Sequence, residues 1–444
     1  MLKANLNIIS SMQNFLKTVS GNEEYKKFFR NDQSDFTRSR KLPFEKLVVL
    51  IAQLCKKTLS VEIENFFTAL GTPNKSYSVP AFCMQRMKLH PWFFYAWNMA
   101  LWQKYYSEYG KKVKRWRGFR ILGCDGSSIA LVNRPELQSY FGGQSNQHNS
   151  SCLAKTFYCY DVLNKMILFP QITPYRYSEM RMAYDFVDRT PIEEDMLLIF
   201  DRNFSNYKMA ALLQFKEKEI KYVIRVKDGL NFAKKFMQSK KKSDVIEIFP
   251  GPDAIKGLFE CGYIVSKETA IKLRLIRVQL PGGKVEVLMT NLWEEDGYAS
   301  EEFKMLYSMR WGVETNIDFQ KNILRLESLS GQTPVSAIQD FFATVFISNL
   351  HFLLIKQAQK IIDDKMTNRK YPCQVNNNKA FGKIKENIIL LFTRKKPIEI
   401  LKKLTTYFIR TPLPVRKGRT FPRIRKNPLT KNKHRTFTNY KPAF

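Results

Sequence analysis

The feature that most constrains the fold is the succession of strand patterns and helix patterns between Arg120 and Lys227. Three runs rich in β-branched and aromatic residues come first, RILGCDGSSIALV, KTFYCYDVL and KMILFPQIT, and they predict strands with a turn at Asn164. The helical stretch SEMRMAYDFVDR follows, then the strand DMLLIFD, the helix around SNYKMAALLQFKEK and the strand KYVIRVK. Consecutive strands followed by alternating helix and strand indicate a mixed α/β sheet.

Two isolated aspartates stand where predicted strands end. Asp125 lies in ILGCDGSS and Asp201 in LLIFDRNF. An aspartate in this position does little for stability, but it is well placed as a metal ligand because hard divalent cations need carboxylate oxygens from several elements. The structural alternative is that each aspartate caps the following turn, which is common for one aspartate and less so for two that share an acidic partner.

The segment YSMRWGVETNIDFQK supplies such a partner. Its polar signature residues, at successive spacings of three, four and seven, are Tyr307, Arg310, Glu314 and Lys321. On a helix these spacings place all four side chains on one narrow arc. The apolar stripe beside that arc consists of Leu306, Val313, Ile317 and Leu324. The helix is therefore expected to pack its apolar stripe on the sheet and to line a site with its polar side chains. The structural alternative is a surface helix with Glu–Lys pairs.

Apolar residues recur at helical spacing from about Pro43 to Tyr109, which predicts a small helical domain ahead of the sheet. Within it, SVPAFCMQRMKLH opens with Ser78 as a helix N-cap. This helix is expected to carry Arg86 and Lys88 outward, as a recognition helix in DNA would. A structural helix with a solvated basic face fits the pattern equally well.

The charge of the chain identifies its class of partner. Lys and Arg number 73 against 40 Asp and Glu, a formal net charge of +33, which indicates nucleic acid as the natural partner. Charge alone does not distinguish an enzyme from a ribosomal or nucleoid-type binder or a basic membrane-surface protein. The last stretch, from Arg410 onward, contains no acidic residue and is expected to be disordered until it meets phosphates.

Other classes of chemistry and location have little support in the sequence. Seven cysteines, never spaced as C-x-x-C, argue against a disulfide framework or a zinc site, and the expected compartment is a reducing cytoplasm. Four scattered histidines leave carboxylates to carry any catalysis. Polar residues interrupt the N-terminus and no apolar run approaches the length of a membrane span, so neither export nor membrane insertion is expected.

The signature Tyr-x-x-Arg-x-x-x-Glu-(six)-Lys, together with the two upstream aspartates, resembles the DDE transposases of bacterial insertion sequences, and in particular the family 4 or YREK group. The likeness runs from about Arg120 to Lys321 and includes YVIRVK and LMTNL. It implies a ribonuclease H-like catalytic core interrupted by a β-rich insertion, with an N-terminal helical DNA-binding domain and a helical, basic C-terminal region. The expected N-terminal domain is 1–115. The first core part is 116–227, the insertion is 228–298 and the second core part is 299–370. The C-terminal region is 371–444.

The resemblance also implies catalytic roles. Asp125, Asp201 and Glu314 would bind two Mg²⁺ ions, with Mn²⁺ as a substitute, and support in-line cleavage of phosphodiester bonds and joining of 3′-OH ends to target DNA. Members of this group excise their element through a hairpin intermediate with a flipped base. The DNA-binding residues implied by the signature and its surroundings are Tyr307, Arg310, Lys321, Trp311, Arg225 and Arg202. For the two basic residues outside the signature, a surface charge at a strand end is the structural alternative.

Several alternatives stay open at this point. Trp293 rivals Trp311 for stacking an unpaired base, and a core aromatic is the structural alternative for both. Asp161 and Asp195 are the nearby carboxylates to consider if Asp125 is dispensable, since Asp125 depends most on the resemblance. The expected partners are the terminal inverted repeats and target DNA, with a homodimer in the DNA complex on the bacterial nucleoid. The rival functions are a non-catalytic DNA-binding derivative and a host nuclease of the same fold.

Overall fold

The computed structural model describes residues 1–38, 40–73, 77–145, 150–280, 282–366, 369–394 and 396–416. The predicted disorder of the basic C-terminal tail falls mostly outside these residues. The chain divides into two compact units. The helical unit consists of Met1–Lys112, Ile129–Ala154 and the described residues from Asp318 onward, and the sheet unit consists of Val113–Ser128 and Lys155–Ile317.

The described residues form the following regular elements. The α-helices are α1 Leu2–Gly21, α2 Glu23–Lys26, α3 Phe44–Ala52, α4 Leu59–Ala69, α5 Val79–Arg86, α6 Trp92–Tyr109, α7 Pro135–Phe141, α8 Glu179–Arg189, α9 Tyr207–Gln214, α10 Asn231–Ser239, α11 Pro252–Phe259, α12 Glu302–Ser308, α13 Trp311–Asp318, α14 Pro334–Lys365, α15 Asn377–Thr393 and α16 Ile398–Arg410. The strands are β1 Arg120–Ala130, β2 Gly143–Ser145, β3 Ser150–Asp161, β4 Met166–Ile167, β5 Gln171–Pro174, β6 Met196–Phe200, β7 Lys221–Arg225, β8 Ser243–Ile248, β9 Ile271–Gln279, β10 Val285–Thr290, β11 Cys373–Val375 and β12 Pro412–Pro414. Short 3₁₀ turns lie at Lys27–Phe29, Gly110–Lys112 and Arg202–Phe204, and a π-helical turn lies at Phe319–Ile323.

The sheet unit is built on a mixed sheet, as the sequence pattern predicts. Its strands follow the order β3-β1-β6-β7-β10-β9-β8, and β4 and β5 also pair with β3. The central strands β1, β6 and β7 are parallel. All five residues of β6 are buried, because a parallel strand at the centre of a sheet is covered on both faces.

Helix α12 packs on this sheet through Leu306, one residue of the predicted apolar stripe, and through Phe303. Leu306 and Phe303 belong to a buried core cluster with Leu197 and Ile199 of β6 and Val223 of β7. Burial of a large aliphatic or aromatic side chain contributes about 1.5 to 3 kcal/mol, so this contact is a substantial part of what holds the helix in place.

The segment 228–298, expected as an insertion, continues the main sheet. Strand β10 pairs antiparallel with β7, and β9 and β8 follow it outward. Backbone hydrogen bonds therefore cross the expected boundary at residue 228. A hairpin joins β9 to β10, with Gln279 opposite Val285.

In the helical unit, helices from the N-terminal part of the chain and from its C-terminal part pack in one core. The indole of Trp97 on α6 stacks on Phe346 of α14 with ring centroids 3.9 Å apart, and it contacts Phe392 of α15 at 4.9 Å. Described residues of the expected regions 1–115 and 371–444 thus pack in one hydrophobic core within the helical unit. The expected second core part, 299–370, is divided between the units at Asp318.

Helix α14 departs from the expectation about apolar runs. It is the one helix in the described part of the chain that is long and apolar enough to cross a membrane by length and composition. However, 94% of its apolar window is buried inside the structure. Because the core helix of a soluble protein has the same composition, this finding is weak evidence for a membrane span.

Helix α5 forms where the recognition helix was predicted, and Ser78 caps its N-terminus as predicted. The expectation that Arg86 points outward is wrong. Its side chain is 1% exposed, and its guanidinium donates hydrogen bonds to Gln339 at 2.9 Å and to Asp340 at 3.0 Å, both on α14. Arg86 faces inward because a buried carboxylate neutralises it, whereas Lys88 remains half-buried.

Replacing Arg86 with leucine should lower the free energy of unfolding by roughly 3 to 5 kcal/mol, because Asp340 would be left buried without its cation. Replacing the neighbouring Lys88 with leucine should change it by less than about 1 kcal/mol. Urea denaturation followed by circular dichroism measures both variants. Equal stability of Arg86→Leu and wild type would show that this ion pair does not hold α5 on α14.

Candidate active site

Strand pairing brings the two predicted aspartates side by side. In the parallel ladder of β1 and β6, Cys124 lies opposite Phe200, so Asp125 and Asp201 are the next residues on neighbouring strands. The expectation that Asp125 ends its strand needs correction, because β1 continues to Ala130 and only its pairing with β6 stops at Cys124. The side chain of Asp201 makes no capping hydrogen bond to the 3₁₀ turn that follows, which argues against the structural alternative there.

Glu314 joins the aspartates through a shared cation. The Arg310 guanidinium lies with Nη2 2.7 Å from Glu314 Oε1 and with Nη1 3.6 Å from Asp125 Oδ2. Burial lowers the pKa of Arg310, but the nearby Tyr307, Asp201 and Glu314 outweigh it and raise this pKa. The three predicted carboxylates therefore surround one guanidinium that is 6% exposed.

The predicted single helix carrying the signature is broken. Helix α12 ends before Arg310 and α13 begins after it, so Arg310 lies in the turn between them. Two glycines allow the chain to approach closely here: a Cβ on Gly312 would lie 3.0 Å from Val162 Cβ, and one on Gly123 would lie 3.3 Å from Val313 Cβ. Glycine also costs a helix about 1 kcal/mol relative to alanine, which favours a break. Helix α13 consequently lies directly against β1.

Burial raises the pKa of Asp125 to about 6. Arg310 and the backbone N–H of Gly126 lower this pKa, whereas the carboxylates of Glu314 and Glu179 raise it. The site thus gathers more negative charge than its one guanidinium offsets, and Asp125 takes up a proton more readily than a solvated aspartate does.

Glu179 is a fourth acidic residue that sequence reasoning missed. It opens α8, and a Cβ on Gly126 would lie only 2.5 Å from Glu179 Cγ, so the glycine lets this side chain lie against β1. Lys155 on β3 forms an ion pair with Glu179 at 3.3 Å. An acidic residue in the first turn of a helix is common for reasons of stability, so the sequence carried no separate signal for it.

Two buried donors in the site lack acceptors. Tyr307 Oη and Arg310 Nε have no hydrogen-bond partner within the described ranges of the chain. Burial raises the pKa of Tyr307, so its hydroxyl keeps its proton and remains a donor. An unsatisfied buried donor costs about 1 to 3 kcal/mol, and oxygen atoms of a bound phosphate would satisfy both.

The two candidate tryptophans differ in exposure. Trp311 is 55% exposed and lies with its ring 5.3 Å from the Arg310 Cζ, so it is not a core residue. Trp293 is half-buried. Of the two, Trp311 presents the larger surface on which a base could stack.

The remaining predicted DNA-binding residues occupy different environments. Arg202 is exposed in the turn directly after Asp201. Arg225 ends β7, and its Nη1 lies 2.8 Å from Glu286 Oε1, so its charge is already neutralised. Lys321 lies in the π-helical turn, which belongs to the helical unit, and is half-buried.

The alternative carboxylates have structural roles. Asp161 is fully buried and accepts hydrogen bonds from the backbone of Leu163 and Asn164 in the turn after β3. Asp195 forms an ion pair with the buried Arg120. Neither carboxylate is therefore available as a replacement for Asp125.

The site contains the ligand type that a divalent cation requires. Three carboxylates from β1, β6 and α13 are the ligand type that Mg²⁺ and Mn²⁺ prefer. In the part of the chain that the structure describes, no group of three or more His, Cys, Asp or Glu side chains is drawn together closely enough to hold a metal ion. The chemistry of these residues fits a divalent cation, and their positive partner in this arrangement is Arg310.

A central mixed sheet with carboxylates gathered at one edge is an arrangement typical of enzymes that act on phosphodiesters. Residues 116–350 match the family described as transposase DDE domain. The chain belongs to this family. Transposases bind DNA, and DDE transposases in general use divalent metal ions, so the family supports DNA transposition as the class of function.

No protein with curated function matches the chain. Among solved structures, the chain is similar to a cryo-EM structure of a piggyBac transposase synaptic complex with hairpin DNA, at 13% sequence identity and a TM-score of 0.41, over 100% of this chain and 90% of that one. A likeness at this level carries no argument about the site.

Replacing Asp125 with asparagine should stabilise the fold at about pH 8. The pKa of about 6 lies above the ordinary 3.8, so ionisation of Asp125 destabilises the folded state as the pH rises through 6. A pKa shift of this size corresponds to a gain in the free energy of unfolding of at most roughly 3 kcal/mol for the asparagine variant at about pH 8. About a third of that gain remains near pH 4.5. Urea denaturation at the two pH values measures the gain.

The exposed Asp228 provides the control, since its replacement by asparagine should leave stability nearly unchanged at both pH values. If Asp125→Asn were no more stable than wild type at about pH 8, burial of an ionised Asp125 would not be a cost to this fold.

Proposed function

We propose that the protein is a cut-and-paste DNA transposase of the YREK group, with Asp125, Asp201 and Glu314 as its catalytic carboxylates. One observation carries this proposal: the three residues come from separate elements and surround the guanidinium of Arg310, itself part of the signature. The succession of antiparallel β3 and parallel β1, β6 and β7, with helices between them, supports a ribonuclease H-like core.

The carboxylates would hold two divalent cations, Mg²⁺ or Mn²⁺, whose charge activates an attacking oxygen and stabilises the leaving oxygen. The backbone fixes the elements that carry the ligands, because β1 and β6 hold Asp125 and Asp201 in register and the close packing of α13 on β1 holds Glu314. Arg310 offsets part of their negative charge in this arrangement, and divalent cations would offset the rest.

Arg310 and Tyr307 would bind the phosphate to be cleaved. Their unpartnered donors, Nε and Oη, are buried next to the carboxylates and match the acceptors of a phosphodiester. Arg202 is a second phosphate contact because it is exposed directly after Asp201, whereas Arg225 is a weaker one because Glu286 already pairs with it. The role of Lys321 as a phosphate ligand rests on the signature alone.

Trp311 would stack an unpaired base at the hairpin end. Its ring is more than half exposed next to Arg310, and base stacking on an aromatic ring contributes about 1 to 3 kcal/mol. Trp293 is the weaker candidate because it is half-buried.

The reaction would be the same in-line displacement in each step. An attacking water or hydroxyl oxygen bonds to phosphorus, the bond to the leaving oxygen breaks, and that oxygen takes up a proton. Hydrolysis would free a 3′-OH at the element end, and attack by this hydroxyl on the opposite strand would form the hairpin. Hydrolysis of the hairpin by water would restore the 3′-OH, whose attack on target DNA would then join the ends. No covalent enzyme intermediate is needed.

The partners follow from this reaction. The protein would bind the terminal inverted repeats of its element and then target DNA, as a homodimer in the DNA complex, in the bacterial cytoplasm. A net charge of +33 also supports the second candidate, a non-catalytic DNA-binding derivative, but the retention of all three carboxylates around Arg310 favours an active enzyme. A host nuclease of the same fold would leave no joined products.

Replacing Asp201 or Glu314 with alanine should reduce Mg²⁺-dependent cleavage of element ends by more than the roughly 100-fold typical of losing an outer-shell partner. Asp228→Ala, which removes an exposed acid from the same unit, should cleave normally. Gel assays of cleavage and strand transfer, with DNA binding as a check of folding, provide the measurement. Normal cutting by either active-site variant refutes the proposal, and cutting without joined target DNA favours the nuclease.

Replacing Tyr307 with phenylalanine should separate binding from folding. Removal of a buried, unpartnered hydroxyl should leave the free energy of unfolding unchanged or raise it by up to about 1 kcal/mol, while loss of a hydrogen bond to phosphate should slow cleavage about tenfold.

Tyr184→Phe is the matched control, because that hydroxyl donates a hydrogen bond to Asn206 at 3.0 Å. This variant should lose about 1 kcal/mol of stability and keep its cleavage rate. Should Tyr307→Phe instead lose stability and cleave normally, its hydroxyl has a structural role.

A further inference from the structure

A polar cavity of about 280 Å³ lies in the helical unit, between the loop that follows α2 and the end of α5. The residues of interest in its lining are Ser34, Thr37, Arg38, Arg40 and Lys88. Pockets for small-molecule substrates usually exceed about 300 Å³ and are mostly apolar. The size and lining of this cavity therefore suit a small charged group better than a whole cofactor.

The lining concentrates positive charge. Arg38 and Arg40 are exposed, and neither has an ion-pair partner in the described part of the chain. Lys88 Nζ lies 3.7 Å from Asp35 Oδ1, a long contact, and the other oxygen of that carboxylate accepts a hydrogen bond from the backbone N–H of Asp32. Three cations thus line the cavity while the two nearby acids, Asp32 and Asp35, accept hydrogen bonds within the loop, and an anion in the cavity would relieve the mutual repulsion of the cations.

The two hydroxyl groups that line the cavity are not free to donate to a ligand. Ser34 Oγ donates to Asp32 at 2.7 Å, and Thr37 Oγ1 donates to the carbonyl oxygen of Ser34 at 2.8 Å, so both protons are used within the loop. The donors left for a ligand belong to the two arginines and the lysine. Guanidinium groups bind phosphate oxygens in a bidentate way, which makes a phosphate group the best match.

We propose that this cavity, named here the Arg38 pocket, binds a backbone phosphate of DNA. The inference rests on the proposed function, since it takes the anion to be part of nucleic acid. It also replaces the idea of a base-reading helix at α5: Arg86 faces inward, so what this region offers to DNA is the pocket formed with Lys88. Contacts of this kind position DNA without reading its sequence.

The test measures DNA binding by fluorescence anisotropy in EDTA, over a series of salt concentrations, on an element-end duplex and on a scrambled duplex. The pocket variant is Arg38→Gln with Arg40→Gln. The control is Arg369→Gln with Arg394→Gln, which removes two exposed arginine charges from the same unit, neither of them in an ion pair in the described residues. Melting curves verify that both variants are folded.

The pocket variant should bind both duplexes about tenfold more weakly than the control variant, as expected when a charge-assisted hydrogen bond is removed. The slope of log K against log salt should also fall by about 0.9 for each phosphate that the variant no longer neutralises. Lys88→Gln should show a smaller change in the same direction. Equal affinity and slope for the pocket and control variants would overturn the proposal.

A second arm distinguishes DNA from a free anion. Inorganic phosphate is titrated into each protein and the melting temperature is followed. If phosphate stabilises the wild type but not the pocket variant while DNA binding matches the control, the pocket binds free phosphate and the assignment to DNA is wrong. Because binding is measured without divalent cations, a failure of the wild type to cleave DNA would refute the proposed function and leave the pocket result standing.

Discussion

The parallel pairing of β1 with β6 is the interaction on which the site depends. Its register places Cys124 opposite Phe200, and this alone makes Asp125 and Asp201 neighbours although they lie far apart in the chain. A shift of one residue in this ladder would turn one of the two aspartates to the other face of the sheet. The buried apolar residues of β6 resist such a shift, so the hydrophobic core sets the geometry of the carboxylates.

Charge balance is the second constraint at the same place. Asp125, Asp201 and Glu314 lie around a guanidinium that is almost fully buried, and burial still raises the pKa of Asp125 to about 6. An edge of the sheet with this much negative charge opposes folding unless a cation offsets it. Arg310 does so in part within the chain. The same residue keeps one donor, Nε, without a hydrogen-bond partner among the described residues.

The helical unit shows how little the net charge says about individual basic residues. Arg86 lies on a helix that a sequence pattern presents as basic and outward-facing, yet its guanidinium is buried against Asp340. Arg38 and Arg40, in a loop without any periodic pattern, remain exposed and without ion-pair partners among the described residues. Which cations neutralise acids inside the fold and which remain for DNA depends on contacts between distant segments.

The sequence by itself determined the strands β1, β3, β6 and β7 and the helices α8 and α9, together with the basic character and the signature residues, because periodicity and residue chemistry are local properties. It predicted Asp125, Asp201 and Glu314 as a set. Only the tertiary structure decided the break at Arg310, the inward position of Arg86 and the packing of Trp97 against Phe346 and Phe392 in one core. It also revealed Glu179 as a further acid. These features arise from packing and electrostatic contacts between residues far apart in the chain, and no local pattern encodes such contacts.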